Sequence, residues 1–585
     1  MHKEDKRSYL NGICIFFVSL SFCCFPIGNC TLGNSGKANS SSVSDLPFEM
    51  PVIKELRFPD RTFNIADYGA VGDGHTKNTK AFADAIKVCA VAGGGRVVVP
   101  AGVWLTGAIE LKSNLDLHLE QGAVIQFSED YDDYPLIQST WEGRPRVQCM
   151  SPLYANNLEN IAITGQGIID GAGQAWRPVK KFKMTERQWK DLIASGGVLN
   201  EAQDMWWPTK EAMNGPQILA SLQRRDNVTL EDYAPVRSYL RPVMVALIQC
   251  KNVLLDGPTF QNSPGWNIHP LLCENMIVRN INVRNPWYSQ NGDGLDLESC
   301  RNVIVTGCCF DVGDDAICLK SGRDEYGRRR GKPSENILIT DCTVYHGHGG
   351  FVVGSEMSGD VRNIYVRNCT FMGTDVGLRF KSTRGRGGVV ENIFIEDIRM
   401  SNIATEAIRF NMFYGGQAPI PEEGEQQNSS TKREIVPVNE GTPQFRKIYC
   451  KNITCRGAAG AVLLQGLPEM PIREIELENV LISADTGLVC ADAEQIKLTN
   501  VKILPEKSPV FSFYDSRDVM MQSIRDEESE GVFIKLQGEK TQDIHLRGSN
   551  ISRLVDRIRL GKGVEPDAIT MTPLVSPLEM NPSVQ

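Results

Sequence analysis

From Asn160 onward the chain repeats one phrase: an Asn, then alternating β-branched or apolar residues, then a polar turn and a second short strand. Copies begin at Glu159 (ENIAITGQGIIDG), Lys251 (KNVLLDGPTF), Glu274 (ENMIVRNINV), Arg301 (RNVIVTGCCF), Glu335 (ENILITDCTV), Arg362 (RNIYVRNCTF) and Glu391 (ENIFIEDIRM), with further copies at Arg446 and Arg473. The phrase Asn moves from Asn252 through Asn275, Asn302, Asn336 and Asn363 to Asn392, so the period is 23 to 34 residues, within the range of solenoid repeats. Each copy has room for two or three short strands, and parallel stacking of copies buries the Ile, Val and Phe rows in one continuous core. An all-β solenoid follows, with the repeated Asn forming a side-chain ladder at a bend. A leucine-rich-repeat horseshoe is the competing solenoid; the phrases have few regularly placed leucines and no obvious helix per repeat.

Repetition lets a chain of 585 residues remain one elongated domain, and 53 Gly with 30 Pro fit many turns and few long helices. We divide it into a leader over 1–30, a Ser-rich linker over 31–60, the solenoid over 61–505 and a C-terminal extension over 506–585. Before the coils, Asn78 to Ala90 reads as an amphipathic helix, and the Gly-rich turns around it as a solenoid cap, since no phosphate-loop pattern is present. Between 174 and 241 the repeat is interrupted by a partly helical insertion containing Trp176, Trp189, Trp206 and Trp207, which either borders a cleft or packs its own small core.

Basic residues Lys3, Lys6 and Arg7 precede an apolar run from Gly12 to Phe25 that is short for a membrane span and fits a signal-peptide core. Secretion to the extracellular space or cell wall is the expectation, and an uncleaved N-terminal anchor the alternative. Secretion permits glycans, with acceptor motifs at Asn39, Asn227, Asn368, Asn428, Asn452 and Asn550. Cys250, Cys273, Cys300 and Cys450 each stand two residues before an Asn, so we place them at one coil position as a ladder of buried thiols. A net charge of −9 argues against a nucleic-acid binder and gives no global pull on a polyanion, so an anionic partner needs a local basic patch. The runs Arg323 to Lys332 and Lys381 to Arg386 are candidates, the first more readily a solvated loop.

Four segments on successive repeats carry chemistry: Asn291-Gly292-Asp293, Gly313-Asp314-Asp315, Gly347-His348-Gly349 and Arg379-Phe380-Lys381. Stacked coils bring them to one wall, which then holds three carboxylates, an imidazole and two cations. That set suits cleavage of a glycosidic bond in an acidic sugar polymer, which needs two carboxyl functions at the bond and fixed positive charge for the sugar. Asp314 and Asp315 are adjacent, so a regular strand would aim them apart; a bend at Gly313 is required for both to serve one cleft.

These four motifs, in this order, resemble those of the polygalacturonases of glycoside hydrolase family 28, over about Arg61 to Pro505. Gly292 stands where the family usually has Thr, and Phe380 where it has Ile. The resemblance implies a right-handed parallel β-helix that cleaves α-1,4-galacturonosyl linkages in pectin with inversion. It implies Asp314 as general acid, with a raised pKa, and Asp293 with Asp315 as activators of water, with roughly 6.5–9.5 Å between carboxyl groups. His348 would maintain the acid's protonation, while Asn291, Arg379 and Lys381 would bind substrate. No metal and no organic cofactor is expected, the partner is an acidic cell-wall polysaccharide, and the protein is read as a monomer. A calcium-dependent pectate lyase, a non-catalytic pectin-binding protein and a structural solenoid are the alternatives; the Asp pair with His and Arg/Lys favours hydrolysis.

Overall fold

The computed structural model describes residues 46–415, 434–524, 530–548 and 551–573. The expected leader, most of the linker and the acceptor motifs at Asn39, Asn428 and Asn550 lie outside the described residues. Among those described, no helix is long and apolar enough to cross a membrane.

Thirty-six strands form one sheet whose pairings are parallel, each strand stacking on its counterpart one coil away. The result is a right-handed parallel β-helix, the hand that parallel crossovers take. Its core is built from rows rather than from local clusters. One inward row runs Leu297, Leu319, Val353, Phe380, Phe410, Leu464 and Cys490, and every member is fully buried. The Phe that replaces Ile in the fourth motif belongs to this row: Phe380 stacks on Phe410 with ring centroids 4.2 Å apart and planes 5° from parallel.

The repeated Asn sits at a corner in the left-handed region, with φ of 57° at Asn252, 59° at Asn275, 57° at Asn302 and 56° at Asn336. Asn tolerates this region better than other side chains. Each amide also donates to the Asn oxygen of the previous coil, from Asn160 to Asn114 (2.8 Å) through to Asn392 to Asn363 (3.4 Å). Beyond Asn392 the corner passes to Lys447, Glu474, Gln495, Asp518 and Asp543, all with φ near 55°. The backbone needs the corner and the sequence no longer advertises it.

That change of residue hides the end of the solenoid. The described residues of the segment read as a C-terminal extension, 506–585, belong to the solenoid: Phe511–Tyr514, Arg517–Gln522, Ile534–Gln537, Gln542–Gly548, Ile558–Leu560 and Ile569–Pro573 continue the parallel stack. The placement of Cys450 is corrected for the same reason. Ile448 pairs with Ile393, which puts Lys447 at the corner and Cys450 opposite Ile395, away from the row of Cys250, Cys273 and Cys300. Cys250, Cys273 and Cys300 are buried free thiols.

At the N-terminal end the helix Thr79–Val91 lays Ala81, Phe82, Ala85, Ile86 and Cys89 over the first coil. The insertion folds into helices Glu186–Ala194 and Lys210–Leu222 and a three-stranded antiparallel sheet. Trp176 is buried against Tyr131 and Tyr134, whereas Trp189 and Trp206 pack with Val179 in a second small core reached by Tyr288. A further antiparallel hairpin, Leu136–Trp141 with Arg144–Cys149, is absent from the sequence reading.

Candidate active site

The four motifs converge on one wall, formed by Leu295–Glu298, Asp315–Lys320, Gly349–Gly354 and Val376–Lys381 with the corners that precede them. The Gly294 amide donates to the Asp315 carbonyl (2.9 Å), which sets Asp293 beside Asp315 on neighbouring coils. Asp314 precedes the strand that begins at Asp315, and its Oδ1 accepts from the Asp315 amide (3.1 Å). The bend therefore falls at Asp314, which lets two adjacent carboxylates face one cleft. Gly313 serves a close approach there: a Cβ would run into Ser289 Oγ and lie 2.6 Å from the Pro286 carbonyl oxygen. Gly292 is required by the same loop, since a Cβ at that position would also collide with Ser289.

Each of the three carboxylates has an oxygen within 4.8 Å of the other two. Neighbouring coils about 4.8 Å apart bring the nearest oxygens of the trio together. Asp315 is held by Lys381 Nζ on Oδ2 (2.6 Å) and Arg379 Nη1 on Oδ1 (3.1 Å). Burial alone would raise its pKa, yet Lys381, Arg379 and Lys320 keep it well below the usual carboxylate range. Asp293 goes the other way. Burial, then the charges of Asp314 and Asp296, push it well above that range, and its Oδ1 is buried with no hydrogen-bond partner.

The expectation that Asp314 has a raised pKa is not met. Burial is the largest influence and works in that direction, but the hydrogen bond from His348, whose Nδ1 lies 3.1 Å from Asp314 Oδ1, together with the charges of His348 and Lys381, leaves the acid lowered. His348 is raised in turn by the same bond. The two groups thus stabilise each other's charged form, with Asp375 Oδ2 3.7 Å and Lys183 Nζ 3.5 Å from the far nitrogen, Nε2.

Arg379 and Lys381 share a face, as two residues of one strand should, and both lie over the Tyr414 ring at 5.9 and 5.1 Å. Asn291 has its Oδ1 taken by Arg241 (3.0 Å), which also anchors Gln290 through its carbonyl (3.0 Å). Of the two basic runs, the first is a helix, Asp324–Arg330, engaged in structural pairs such as Arg330 with Glu298 (2.6 Å). In the second, Arg384 pairs with Glu469 (2.6 Å) and Arg386 with Asp324.

Three features were not legible in the motifs. Asp296 is fully buried beside the trio, with both oxygens lacking a hydrogen-bond partner and Lys320 Nζ at 3.4 Å; burial pushes it up to about 8. Its position three residues after Asp293 was the available signal. Lys183 arrives from the insertion. A cavity of about 460 Å³ opens beside Asn291, lined by Trp141, Arg146, Lys180, Trp207, Arg241 and Trp266 among others. Trp141 stacks on Trp266 at 4.2 Å, with Arg146 5.0 Å above one ring and Lys320 4.6 Å from the other, so this wall is braced by alternating cations and aromatics.

The carboxylate trio has the charge to attract a cation, but Lys381 and Arg379 already occupy both oxygens of Asp315.

Residues 236–484 match the model of the glycosyl hydrolases family 28. The chain is 35% identical to an exopolygalacturonase of Thermotoga maritima whose crystal structure is known, over 80% of this chain and 94% of that one, with a TM-score of 0.60. The chain belongs to glycosyl hydrolase family 28. It is also 28% identical to a probable polygalacturonase of Vitis vinifera over 76% of this chain and 81% of the relative. An exo-poly-alpha-D-galacturonosidase of Dickeya chrysanthemi is 31% identical over 60% of this chain and 57% of its own length. As a family member the chain carries its four motifs within the matched residues, whereas the insertion lies almost wholly before them.

Proposed function

We propose that this protein hydrolyses α-1,4-galacturonosyl linkages in pectin or polygalacturonan, an acidic cell-wall polysaccharide. The observation that carries this reading is the meeting, on one wall, of Asp293, Asp314 and Asp315 with His348, Arg379 and Lys381. Asp314, at the mouth of the corner, donates a proton to the glycosidic oxygen. Asp293 and Asp315, side by side on adjacent coils, orient and activate the attacking water, which fits the unpartnered Asp293 Oδ1. The ionised Asp315 accepts from that water, and hydrolysis proceeds with inversion as the family resemblance implies. Arg379 and Lys381, over Tyr414, meet the uronate carboxylate, sharing their charge between it and Asp315. Asn291 lines the adjoining sugar site.

We read cleavage as starting from a chain end. The cavity beside Asn291 is walled by the hairpin and the insertion and lined by Arg146 and Lys180, with Glu142 beside them held by Arg323. A terminal uronate fits that combination of aromatic wall and cations, and two of the relatives are named as exo-acting enzymes. The reading includes secretion to the extracellular space or cell wall, action as a monomer and glycosylation at some of the acceptor motifs.

The test is product analysis on de-esterified polygalacturonate with the purified protein. New reducing ends released as monomer or dimer, with little early loss of viscosity and with inverted anomeric configuration by proton NMR, support the reading. A rapid viscosity fall would remove the chain-end assignment, and unsaturated ends would remove hydrolysis itself.

A further inference from the structure

Lys183 belongs to the insertion and lies outside the residues that match the family, yet it reaches the acid side of the site. Its half-buried ammonium is 3.5 Å from His348 Nε2 and 3.4 Å from the Gly313 carbonyl oxygen. An ammonium is a donor only, so the contact with Nε2 is a hydrogen bond only when that nitrogen carries no proton. The remaining imidazole proton then sits on Nδ1, 3.1 Å from Asp314 Oδ1. In that arrangement Nδ1–H occupies Oδ1 and leaves Oδ2 of the acid as the place for the carboxyl proton.

The alternative arrangement is an imidazolium facing an ionised Asp314, which cannot act as an acid. The groups around the imidazole pull in both directions. Asp314 and Asp315 on the wall, and Asp375 3.7 Å from Nε2 on the next coil, favour the imidazolium. Lys183 opposes it, and Arg379 Nη1 holds the ring's own backbone carbonyl (3.2 Å). The neighbours of Lys183 are Lys180, Asp314 and Asp375.

We propose that Lys183 is a positioning residue for the general acid: by occupying Nε2 it favours the Nδ1–H tautomer of His348 and opposes the neighbouring carboxylates, which draw the proton of the pair from Asp314 toward the imidazole. The insertion then does more than wall the cleft, since it sets the protonation state of a pair 131 to 165 positions away in sequence. This rests on the hydrolase reading above for its effect on rate, though not for its effect on the imidazole.

The experiment therefore has two readouts, taken on the full chain. Ring nitrogen NMR of His348 in the unliganded protein should give a neutral form protonated at Nδ1, and Lys183→Met should raise the imidazole midpoint by roughly half to one pH unit. In kinetics on polygalacturonate, Lys183→Met should lower kcat by about tenfold with KM little changed, and move the basic limb of the kcat profile to higher pH. Lys183→Arg should restore the limb. Asp375→Asn, at an exposed position, should move both midpoint and limb downward, and serves if the lysine variant does not fold. A His348 protonated at Nε2 in its neutral form, or a Lys183→Met variant whose midpoint and limb stay in place while KM rises, overturns the proposal. Failure of the unmodified protein to hydrolyse polygalacturonate would overturn the hydrolase reading instead, and leaves the NMR result to decide the role of Lys183.

Discussion

The same wall of the β-helix has two characters. In the coils from Asp293 to Lys381 its outward positions include Asp296, Glu298, Lys320, Arg379 and Lys381 beside Cys318 and Val352, nearly all buried, with Asp296 paired to Lys320 and both Arg379 and Lys381 to Asp315. Further along the stack the equivalent outward positions are Leu463, Val489 and Ser512 in one row and Gln465, Ala491 and Tyr514 in the next. The inward rows do not change character between the two regions, and neither does the parallel ladder. Backbone architecture is therefore set by inward residues and left-handed corners, while chemistry is set by a few outward positions that loops and the insertion shield from water. Burying that many charges costs stability, which the uncharged downstream wall does not incur.

This difference can be broken at its strongest point first. Asp314→Asn keeps the shape and removes the proton donor, and should reduce turnover by several orders of magnitude on the order of 10²–10⁴. Val489→Thr, outward on the same wall downstream, should leave turnover unchanged when both are assayed on polygalacturonate. Next comes Lys381→Met, which should weaken use of de-esterified substrate about ten- to hundredfold and methyl-esterified substrate much less, by loss of a charge-assisted contact. Equal losses on both substrates would make the pair with Asp315 its whole role.

How much of this was legible follows the same division. The inward rows and the Asn corners declare themselves, because one residue type meets one geometric need at every turn from Asn160 to Asn392. The coils after Pro505 do not, since Gln495, Asp518 and Asp543 hold the same conformation without a shared side chain. In the site, Asp293, Asp314, Asp315, His348, Arg379 and Lys381 stood in recognisable motifs and are found together. The balance among them was not readable: that His348 and Lys381 together leave Asp314 lowered despite its burial, and that Asp315 is neutralised by both cations, depends on distances of about 3 Å between residues 34 to 66 positions apart. Lys183 and the hairpin at Leu136–Cys149 carry no repeat or motif, so only folding brings them to the cleft.

A smaller effect concerns the cost of the charged wall. Asp293 is raised in the folded protein relative to about 3.9 in an unfolded chain, so its contribution favours folding below that value and is lost as pH rises through the folded pKa. Asp293→Asn should thus stabilise the protein by about 1–3 kcal/mol at pH 7, less at pH 4, while lowering turnover. Denaturant melts at the two pH values check it, and a variant less stable at pH 7 would show that the carboxylate is better compensated than its unpartnered Oδ1 suggests. Smaller again, Asn336→Ala should cost about 1–2 kcal/mol through the left-handed corner and the broken ladder. Glu474→Ala, at a corner without the Asn ladder, should cost less.

The most direct test of the central claim, that the charged stretch of this wall hydrolyses galacturonosyl bonds, is to follow product ends on polygalacturonate for the unmodified protein and for Asp314→Asn side by side, with a chelator present. The account predicts saturated reducing ends from the unmodified protein, undiminished by the chelator, and near silence from the variant. Unsaturated ends that vanish with the chelator and return with calcium, or a variant as active as the parent, would contradict it.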